Sequence, residues 1–279
     1  MKLSVITICY NAADVLVSTI ESVLAQDHDD FEYIIQDGES EDNTQDIVES
    51  YREKFEARNI RFVYNRVRDG GIYDAMNRGF GSAKGALINY MNAGDCFYDN
   101  TVLSKVSAVA QRRGAIPAII YGDCAVFEYG MFFMFQKDAK RIEEMMPFSH
   151  QTVFARADIL RDHPFDTSYR YSADYDFLLT VHDLGGDFVD SGAIVCITTA
   201  DGTSSIHYHD TLMESAKILK AHGLIRSYEI LAKSERMLLV KQFVMDHFPV
   251  AIKKWIRARQ IAARGQKATI TVPTWFTAA

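Results

Sequence analysis

The chain alternates short apolar runs with helical segments along its N-terminal part. Residues 3–9 (LSVITIC) are rich in β-branched side chains, and residues 13–26 space their apolar side chains as an amphipathic helix does. The pattern recurs, with further predicted strands at 31–36, 60–65 and 86–91. Strands and helices that alternate in this way predict an α/β fold, with a parallel sheet covered by helices.

Two of the predicted helices have recognisable starts. A polar loop at 37–44 (DGESEDNT) precedes a predicted helix at 45–57, whose N-cap we expect to be Asn43 or Thr44. A glycine-marked loop at 68–71 (RDGG) opens the next predicted helix. Because both loops follow predicted strands, both are expected at the same edge of the sheet.

Polar residues follow each of the four predicted strands. Open α/β sheets bind ligands beyond the carboxyl ends of their strands, so we expect these residues to converge on one crevice and to form a nucleotide-binding half. They are Asn11, Asp37, Asp69 and Asp95.

The second half of the chain is less regular. Residues 118–136 predict strands or a hairpin, 150–156 another strand, and 171–185 a helix with an acidic start. From about residue 208 to residue 264 the pattern is helical and is broken at Pro249. A helical appendage is therefore expected at the C-terminal end.

Composition and charge narrow the partners and the compartment. The formal net charge of −7 argues against a nucleic-acid-binding protein, because phosphate contacts need a concentrated basic surface. The cysteines at 9, 96, 124 and 196 form neither a C-x-x-C pair nor a zinc spacing, which favours a reducing cytosol. The sequence also shows neither a signal-peptide pattern nor the ~20 apolar residues of a spanning helix.

Asp95 is the strongest candidate for a metal ligand. The segment 92–95 (NAGD) directly follows a buried strand, where a carboxylate is held rigidly enough to meet Mg²⁺ or Mn²⁺ bridging two phosphates. Mg²⁺ commonly uses one or two protein carboxylates and completes its shell with phosphate oxygens and water, so one aspartate suffices. The alternative is an ordinary turn.

Two other loops offer polar groups to a nucleotide. Asp37 is placed to accept hydrogen bonds from a base or a ribose hydroxyl, or else it belongs to a solvated loop that only starts the next helix. Residues 69–79 combine a glycine turn, which lets the backbone approach a ligand, with polar side chains in the first helical turns. Asp74 is equally explained as a first-turn carboxylate favoured by the helix dipole.

Asp174 and Asp176 stand at the start of a predicted helix. Two residues apart on a helix do not share a face, so one is expected to face the crevice while the other caps or solvates the helix. Group transfer to a hydroxyl needs a base that takes the acceptor's proton, and a carboxylate suits that step. Asp174 is the first candidate for the base and Asp176 the second.

Two further segments have both a functional and a structural interpretation. A neutral imidazole at His150, followed by Gln151, suits a contact with metal, diphosphate or acceptor, and a purely structural histidine is the alternative. Small residues at 200–205 (ADGTSS) suit a lid over phosphates or an acceptor contact, or else form a surface turn.

Taken together, these motifs resemble the family 2 glycosyltransferases over roughly residues 1–205. Their order and spacing carry the resemblance, because each motif alone is weak. They are SVITICYNA (4–12), IIQDGESEDNT (34–44), DGGIYDAMNRG (69–79), LINYMNAGD (87–95), HQTVFAR (150–156) and SADYDFLL (172–179).

The resemblance implies a Rossmann-like GT-A fold, with a mixed, mostly parallel sheet flanked by helices. It also implies transfer of a sugar, with inversion, from a UDP- or GDP-sugar held with Mg²⁺ or Mn²⁺ to an acceptor hydroxyl. The GT-A domain is expected at 1–207, with a nucleotide-sugar and metal half at 1–98 and an acceptor half at 99–207. A helical extension at 208–279 follows it.

The resemblance also assigns roles to single residues. Asp95 matches the metal aspartate and Asp174 the catalytic base, while His150 and Gln151 are candidates for acceptor or diphosphate contacts. The residues assigned to the donor are Thr7, Asn11, Asp37, Asp69, Asp74 and Asn77.

This chain departs from the family pattern at Gly94, because many members carry two adjacent aspartates where it has Gly94 and Asp95. A non-catalytic nucleotide-sugar-binding module is therefore the alternative function. A nucleotidyltransferase is disfavoured, because it would show a glycine-rich, basic phosphate loop where this chain has TICYNAAD (7–14).

The segment 251–267 carries no acidic residue. Ile252, Trp255, Ile256 and Ile261 are expected to form an apolar stripe on a basic helix. Family members commonly build surface polysaccharides, and many act on lipid-linked acceptors, so we expect this helix on an anionic bilayer at the cytoplasmic face. The alternative is a helix packed on the catalytic domain. The basic residues are Lys253, Lys254, Arg257, Arg259, Arg264 and Lys267.

Overall fold

The computed structural model describes residues 2–135, 137–199, 207–233, 235, 239, 243, 247–263 and 270–276. Within these residues a nine-stranded mixed sheet is flanked by helices on both faces, which confirms the predicted α/β class. The strands are β1 Leu3–Cys9, β2 Phe31–Asp37, β3 Arg61–Arg66, β4 Leu87–Tyr90, β5 Cys96–Phe97, β6 Ile119–Glu128, β7 Met131–Phe135, β8 Phe154–Arg156 and β9 Phe188–Thr199. The helices are α1 Ala13–Leu24, α2 Thr44–Ser50, α3 Arg52–Ala57, α4 Ile72–Gly81, α5 Val102–Gln111, α6 Ala157–Asp162, α7 Ala173–Asp183, α8 Tyr208–Ala221, α9 Ile225–Lys233 and α10 Val250–Ala263.

The sheet follows the order β3-β2-β1-β4-β8-β6-β9-β5, with β7 paired to β6. The first four strands are parallel, as predicted, and β8 joins them to the second half through antiparallel pairing with β4 and β6. In register, Cys9 pairs with Asp37 and Asp37 pairs with Arg66. The strand ends therefore lie side by side, and the loops that follow them share one edge.

Strand β1 lies in the middle of the parallel part and is buried on both faces. Leu3 and Val5 belong to the core beneath α1, α2, α3 and α5, whereas Ile6 and Ile8 belong to the core beneath α4 and α7. All four side chains are at most 8% exposed. A strand covered on both faces needs apolar residues pointing to each side, which explains why LSVITIC does not alternate apolar and polar residues.

The helix predicted at 45–57 is two helices, α2 and α3, separated at Tyr51. Asn43, one of the two predicted candidates, is the N-cap residue of α2. Within the described chain its side chain makes no capping hydrogen bond; Oδ1 of Asp42 accepts from the Thr44 backbone N–H at 3.0 Å. The Thr44 hydroxyl instead accepts from the Ala12 backbone N–H at 3.0 Å, because the loop folds back on the end of β1.

The strands of the second half match their predictions in part. The hairpin expected at 118–136 is present as β6 and β7, joined by Tyr129 and Gly130 at positive φ. The strand expected at 150–156 begins only at Phe154, because a 3₁₀ turn at His150–Thr152 precedes it. The loop predicted at 200–205 lies outside the described residues.

The predicted helical appendage is present, and it packs against the domain. Helix α8 buries Ala216, Ile218 and Leu219, and the last two belong to the core beneath α4 and α7. Helix α10 contacts the β6–β7 hairpin through Arg257, and its Ile261 is buried in the core beneath α1, α2, α3 and α5. In the part of the chain that is described, no helix is long and apolar enough to cross a membrane.

Candidate donor and transfer site

A tight turn carries Asp95 at the end of β4. The Asp95 backbone N–H donates to the carbonyl of Asn92 at 3.0 Å, and Gly94 has φ +95°. Positive φ at the third residue is what a type II turn requires, and glycine adopts it without strain. The glycine that departs from the family pattern is therefore explained by the backbone of this turn.

Gln151 and Asn92 connect this turn to the second half of the chain. The Asp95 carboxylate is 8% exposed and accepts from Nε2 of Gln151 at 2.8 Å. The amide nitrogen of Asn92 lies 3.0 Å from Nε2 of His150. His150 and Gln151, which are consecutive in the 3₁₀ turn, thus contact Asn92 and Asp95 in the turn that carries the candidate metal ligand.

Asp174 lies beside His150, as the candidate base should lie beside a transfer site. Its Oδ2 is 3.7 Å from Nδ1 of His150. Its Oδ1 accepts from the Tyr73 hydroxyl at 2.9 Å and from the Tyr175 backbone N–H at 3.0 Å. Burial and the Asp174 charge raise the pKa of Tyr73 well above its ordinary value, so this phenol stays a donor.

Asp176 faces the other way. Its Oδ1 lies 3.1 Å from Nε2 of His222, at the end of α8, and Nδ1 of the same ring lies 2.6 Å from Oδ2 of Asp183. Burial alone lowers the pKa of His222, but the hydrogen bonds to Asp183 and Asp176 outweigh it and raise that pKa above its ordinary value. The two aspartates of α7 therefore separate as the helical spacing predicts, with Asp174 on the His150 side.

Two of the donor candidates, Asn11 and Asp37, meet beyond the ends of β1 and β2. Asn11, at φ +48°, accepts through its side chain from the Glu41 N–H, and its own N–H donates to the Ser40 hydroxyl at 2.8 Å. The buried Asp37 accepts from that hydroxyl at 2.6 Å and from the Tyr64 hydroxyl at 2.6 Å. Asp37 therefore fixes the conformation of the loop that follows β2, and both of its carboxylate oxygens accept hydrogen bonds inside the protein.

Asp69, which follows β3, lies beside these two loops, and the three loops together form one corner of the sheet edge. A Cβ added to Gly38 would come within 2.7 Å of the Asp69 carboxylate, so Asp69 lies directly against the loop that follows β2. Tyr10 lies against Gly38, and its ring is 61% exposed. An exposed aromatic ring above a loop of hydrogen-bonding groups is suited to stack on a planar base.

The other donor candidates have internal partners. Thr7 is fully buried and donates from its hydroxyl to the Met91 carbonyl at 2.6 Å, so its side chain lies inside the sheet. The Asn77 amide both donates to and accepts from the backbone of Phe165. Asp74 accepts from the Gly70 N–H and from Arg78, and these two contacts lower its pKa.

Sequence reasoning missed Tyr73, Asn92 and Tyr10. Tyr73 and Asn92 stand inside motifs that were recognised, next to residues that were chosen, but only tertiary contacts bring them to Asp174 and His150. Tyr10 directly precedes Asn11 at the end of β1, where a large aromatic ring in a polar loop was an available signal.

The turn at Asp95 fits a hard divalent cation that takes most of its ligands from a diphosphate and water. Among the described residues no cluster of three or more histidine, cysteine or acidic side chains forms a complete metal cage. The Asn92 side-chain oxygen is buried and, within the same residues, has no hydrogen-bond partner. One carboxylate and one amide oxygen suit Mg²⁺ or Mn²⁺ in such a shared shell.

The mixed sheet, with four parallel strand ends at one edge and helices on both faces, is of the GT-A class. Residues 4–177 match the family described as glycosyl transferase family 2. This chain belongs to that family, which confirms the resemblance carried by its motifs.

Two relatives and two solved structures show the extent of the likeness. A PGL/p-HBAD biosynthesis glycosyltransferase of Mycobacterium bovis is 32% identical over 181 residues, 62% of this chain and 67% of that protein. The putative teichuronic acid biosynthesis glycosyltransferase TuaG of Bacillus subtilis is 39% identical over 112 residues, 40% of this chain and 43% of that protein.

Among the solved structures, TarS 1-349 of S. aureus with UDP superposes with a TM-score of 0.61 at 20% identity, covering 78% of this chain and 65% of that one. The mannosyltransferase PcManGT of Pyrobaculum calidifontis, with GDP-Man and Mn²⁺, gives 0.60 at 16% identity over 93% and 80%. At these identities the likeness is one of fold. This chain spans about two thirds of the mycobacterial relative and of the TarS chain.

Proposed function

We propose that this glycosyltransferase moves a sugar from a UDP- or GDP-sugar to an acceptor hydroxyl with inversion. The observation that carries the proposal is the connection between Asp95 and Asp174. Gln151 holds the first at 2.8 Å, and the preceding His150 lies 3.7 Å from the second. A candidate diphosphate site and a candidate base are thus joined through one short turn.

Each residue has a distinct part in the proposed reaction. Asp95 and Asn92 would hold Mg²⁺ or Mn²⁺, which stabilises the negative charge of the leaving diphosphate when bound. Asp174 takes the proton of the acceptor hydroxyl as that oxygen attacks the anomeric carbon, and Tyr73 keeps its carboxylate oriented. One base and one displacement give inversion.

The donor's nucleoside is assigned to the corner formed by Tyr10, Asn11, Asp37 and Asp69. Stacking on the Tyr10 ring and hydrogen bonds to the loop that Asp37 organises would bind a base and a ribose. The fold is shared with TarS, solved with UDP, and with PcManGT, solved with GDP-Man and Mn²⁺, which supports a donor of this type. Asp74 holds the backbone N–H of Gly70, the residue after Asp69, whereas Thr7 and Asn77 bond inside the protein and are given no direct contact with the donor.

The acceptor is proposed to be a saccharide or a lipid-linked saccharide used in polysaccharide or glycolipid assembly. The relatives named for PGL/p-HBAD and teichuronic acid biosynthesis support this class. We place the protein in the cytoplasm, at the inner face of the membrane, with α10 as the contact.

The outward side of α10 supports that location. Trp255 is 58% and Ile252 is 40% exposed, and the Arg259 guanidinium lies over the Trp255 ring. Ile261 does not belong to this stripe, contrary to the sequence prediction. It is buried, because it lies about two and a half turns from Ile252, on the opposite side of the helix. Arg264 and Lys267 lie outside the described residues.

Ligand binding and product release test the function directly. In a thermal-shift panel of nucleotide sugars with and without Mn²⁺, we expect one UDP- or GDP-sugar to stabilise the protein, by about 2.7 kcal/mol at a hundredfold excess over Kd. Metal-dependent release of the nucleoside diphosphate should follow. Binding without release would support the non-catalytic module, and absence of both would contradict the proposal.

A further inference from the structure

One carboxylate of the C-terminal extension accepts several hydrogen bonds from the loop that leads into α7. Glu214, on α8, accepts backbone N–H groups from three consecutive residues. The distances are 2.8 Å from Arg170, 2.6 Å from Tyr171 and 2.8 Å from Ser172. Hydrogen bonds to an ionised acceptor are about twice as strong as neutral ones. This half-buried glutamate therefore fixes the loop over three successive peptide groups.

The N-cap residue of α7 is also bonded to α8. Ser172 is the N-cap residue, a position at which a serine side chain commonly accepts from the helix's own N–H groups. Within the described chain Ser172 does not do so; its hydroxyl instead donates to the Thr211 carbonyl at 3.1 Å and lies 3.2 Å from the Ser215 hydroxyl. The loop before α7 and the N-cap residue of α7 are therefore both held by hydrogen bonds to α8.

Asp174 is the second residue of α7 and lies two positions after Ser172, the last residue that donates to Glu214. A shift of the Arg170–Ser172 loop would carry this carboxylate away from Tyr73 and His150. Helix α8 is itself held by the buried Ile218 and Leu219. The hydrogen bonds of Glu214 therefore join a helix packed in the core to the residues directly before the helix that carries Asp174.

We propose that Glu214 is a positioning residue for the transfer reaction, which places Asp174 by fixing the start of α7. This inference rests on the proposed function. Glu214 acts through the loop backbone and through Asp174, and it makes the first helix of the extension part of the reactive unit. Donor binding is assigned to loops after β1, β2, β3 and β4, so it does not depend on the hydrogen bonds of Glu214.

The test compares Glu214→Gln with the matched Glu229→Gln, which alters an exposed glutamate on α9 paired with Lys233 at 3.4 Å. Glutamine keeps the size but loses the charge and turns an N–H₂ group toward a backbone N–H. We expect kcat for nucleoside diphosphate release to fall about 10- to 100-fold, as small misplacements of reacting groups do. The donor KM and the donor-induced thermal shift should stay unchanged, and Glu229→Gln should match the wild type.

A double-mutant cycle with Asp174→Asn separates positioning from general destabilisation. If Glu214 acts through Asp174, Glu214→Gln should have little further effect in the Asp174→Asn background. Ser172→Ala, which removes only the hydroxyl contacts to α8, should lower kcat in the same direction. An undiminished kcat in Glu214→Gln, fully additive effects, or an equal loss of donor affinity would overturn the inference. A wild-type protein that releases no nucleotide would instead overturn the proposed function.

Discussion

Nδ1 of His150 lies 3.7 Å from Oδ2 of Asp174, while Nε2 of the same ring lies 3.0 Å from the Asn92 amide. When that amide donates to Nε2, the ring proton sits on Nδ1 and faces the carboxylate. His150 thereby connects the turn after β4 to the start of α7, which lie in different halves of the chain.

The two aspartates of α7 should respond oppositely to loss of charge. Asp174→Asn removes the proton acceptor, so transfer should fall about 10²- to 10⁴-fold while donor binding persists. Asp176→Asn should retain transfer and lose thermal stability, because His222 then keeps one carboxylate partner in place of two. Nucleotide-release rates and melting temperatures of both variants check this. The reverse pattern would assign the base to Asp176.

Asp95→Asn should weaken the response to metal. Replacing a ligand carboxylate by an amide removes much of the attraction to a divalent ion, so we expect transfer to fall at least ~10²-fold and half-saturation to need more Mn²⁺. Asp158→Asn, on the exposed side of α6 and paired with Arg156, is the matched control. Rates measured across a Mn²⁺ titration decide; a curve identical to the wild type would remove Asp95 from the metal site.

Gly94 should tolerate a side chain poorly. At φ +95° an alanine is strained, so Gly94→Ala should lower the free energy of unfolding by about 1–3 kcal/mol. Gly81→Ala, where an added Cβ meets open space and φ is not positive, should raise it by about 0.4–1 kcal/mol. Urea unfolding measures both. Equal changes at the two sites would show that the turn relaxes without cost.

His222 should make the attachment of α8 depend on pH. Its pKa in the folded protein is raised above the ordinary 6.5, so its contribution to stability is full below that value and is lost as pH rises through the folded pKa. The stability gap between the wild type and His222→Gln should therefore be larger at about pH 5.5 than at about pH 9. Denaturant titrations across this range measure the gap, with His163→Gln as the control. A gap that widens toward alkaline pH would contradict this sign.

The outward face of α10 should bind anionic vesicles. Each basic residue near such a surface contributes about 1 kcal/mol, and Trp255 adds an apolar contact. Trp255→Ser combined with Arg259→Gln should reduce pelleting with phosphatidylserine vesicles, and added salt should reduce it further. Arg226→Gln on α9 is the charge-matched control. No pelleting of the wild type, even at low salt, would leave α10 as a helix packed on the domain.

The order of strands and helices was predictable because its causes are local. LSVITIC must be a strand buried on both faces, and a glycine-marked loop must open α4. The single helix predicted at 45–57 is wrong, because the chain forms two helices separated at Tyr51. Asn43 is the N-cap residue, as predicted, but the hydrogen bonds at this helix start come from tertiary folding of the loop: the Thr44 hydroxyl accepts from the Ala12 backbone N–H. Helical periodicity likewise separated Asp174 from Asp176 but did not show which of them faces His150.

The sequence alone therefore determined the α/β class, the edge of the sheet at which polar loops gather, and the candidate residues within them. Only the tertiary structure decided which candidates meet. Asp95 and Asp174 lie far apart in the chain, and they are connected because β8 pairs with β4 and carries the His150–Thr152 turn to that edge. Such pairing depends on packing between distant segments, which local periodicity does not encode. The same holds for Glu214, whose role is visible only where α8 meets the start of α7.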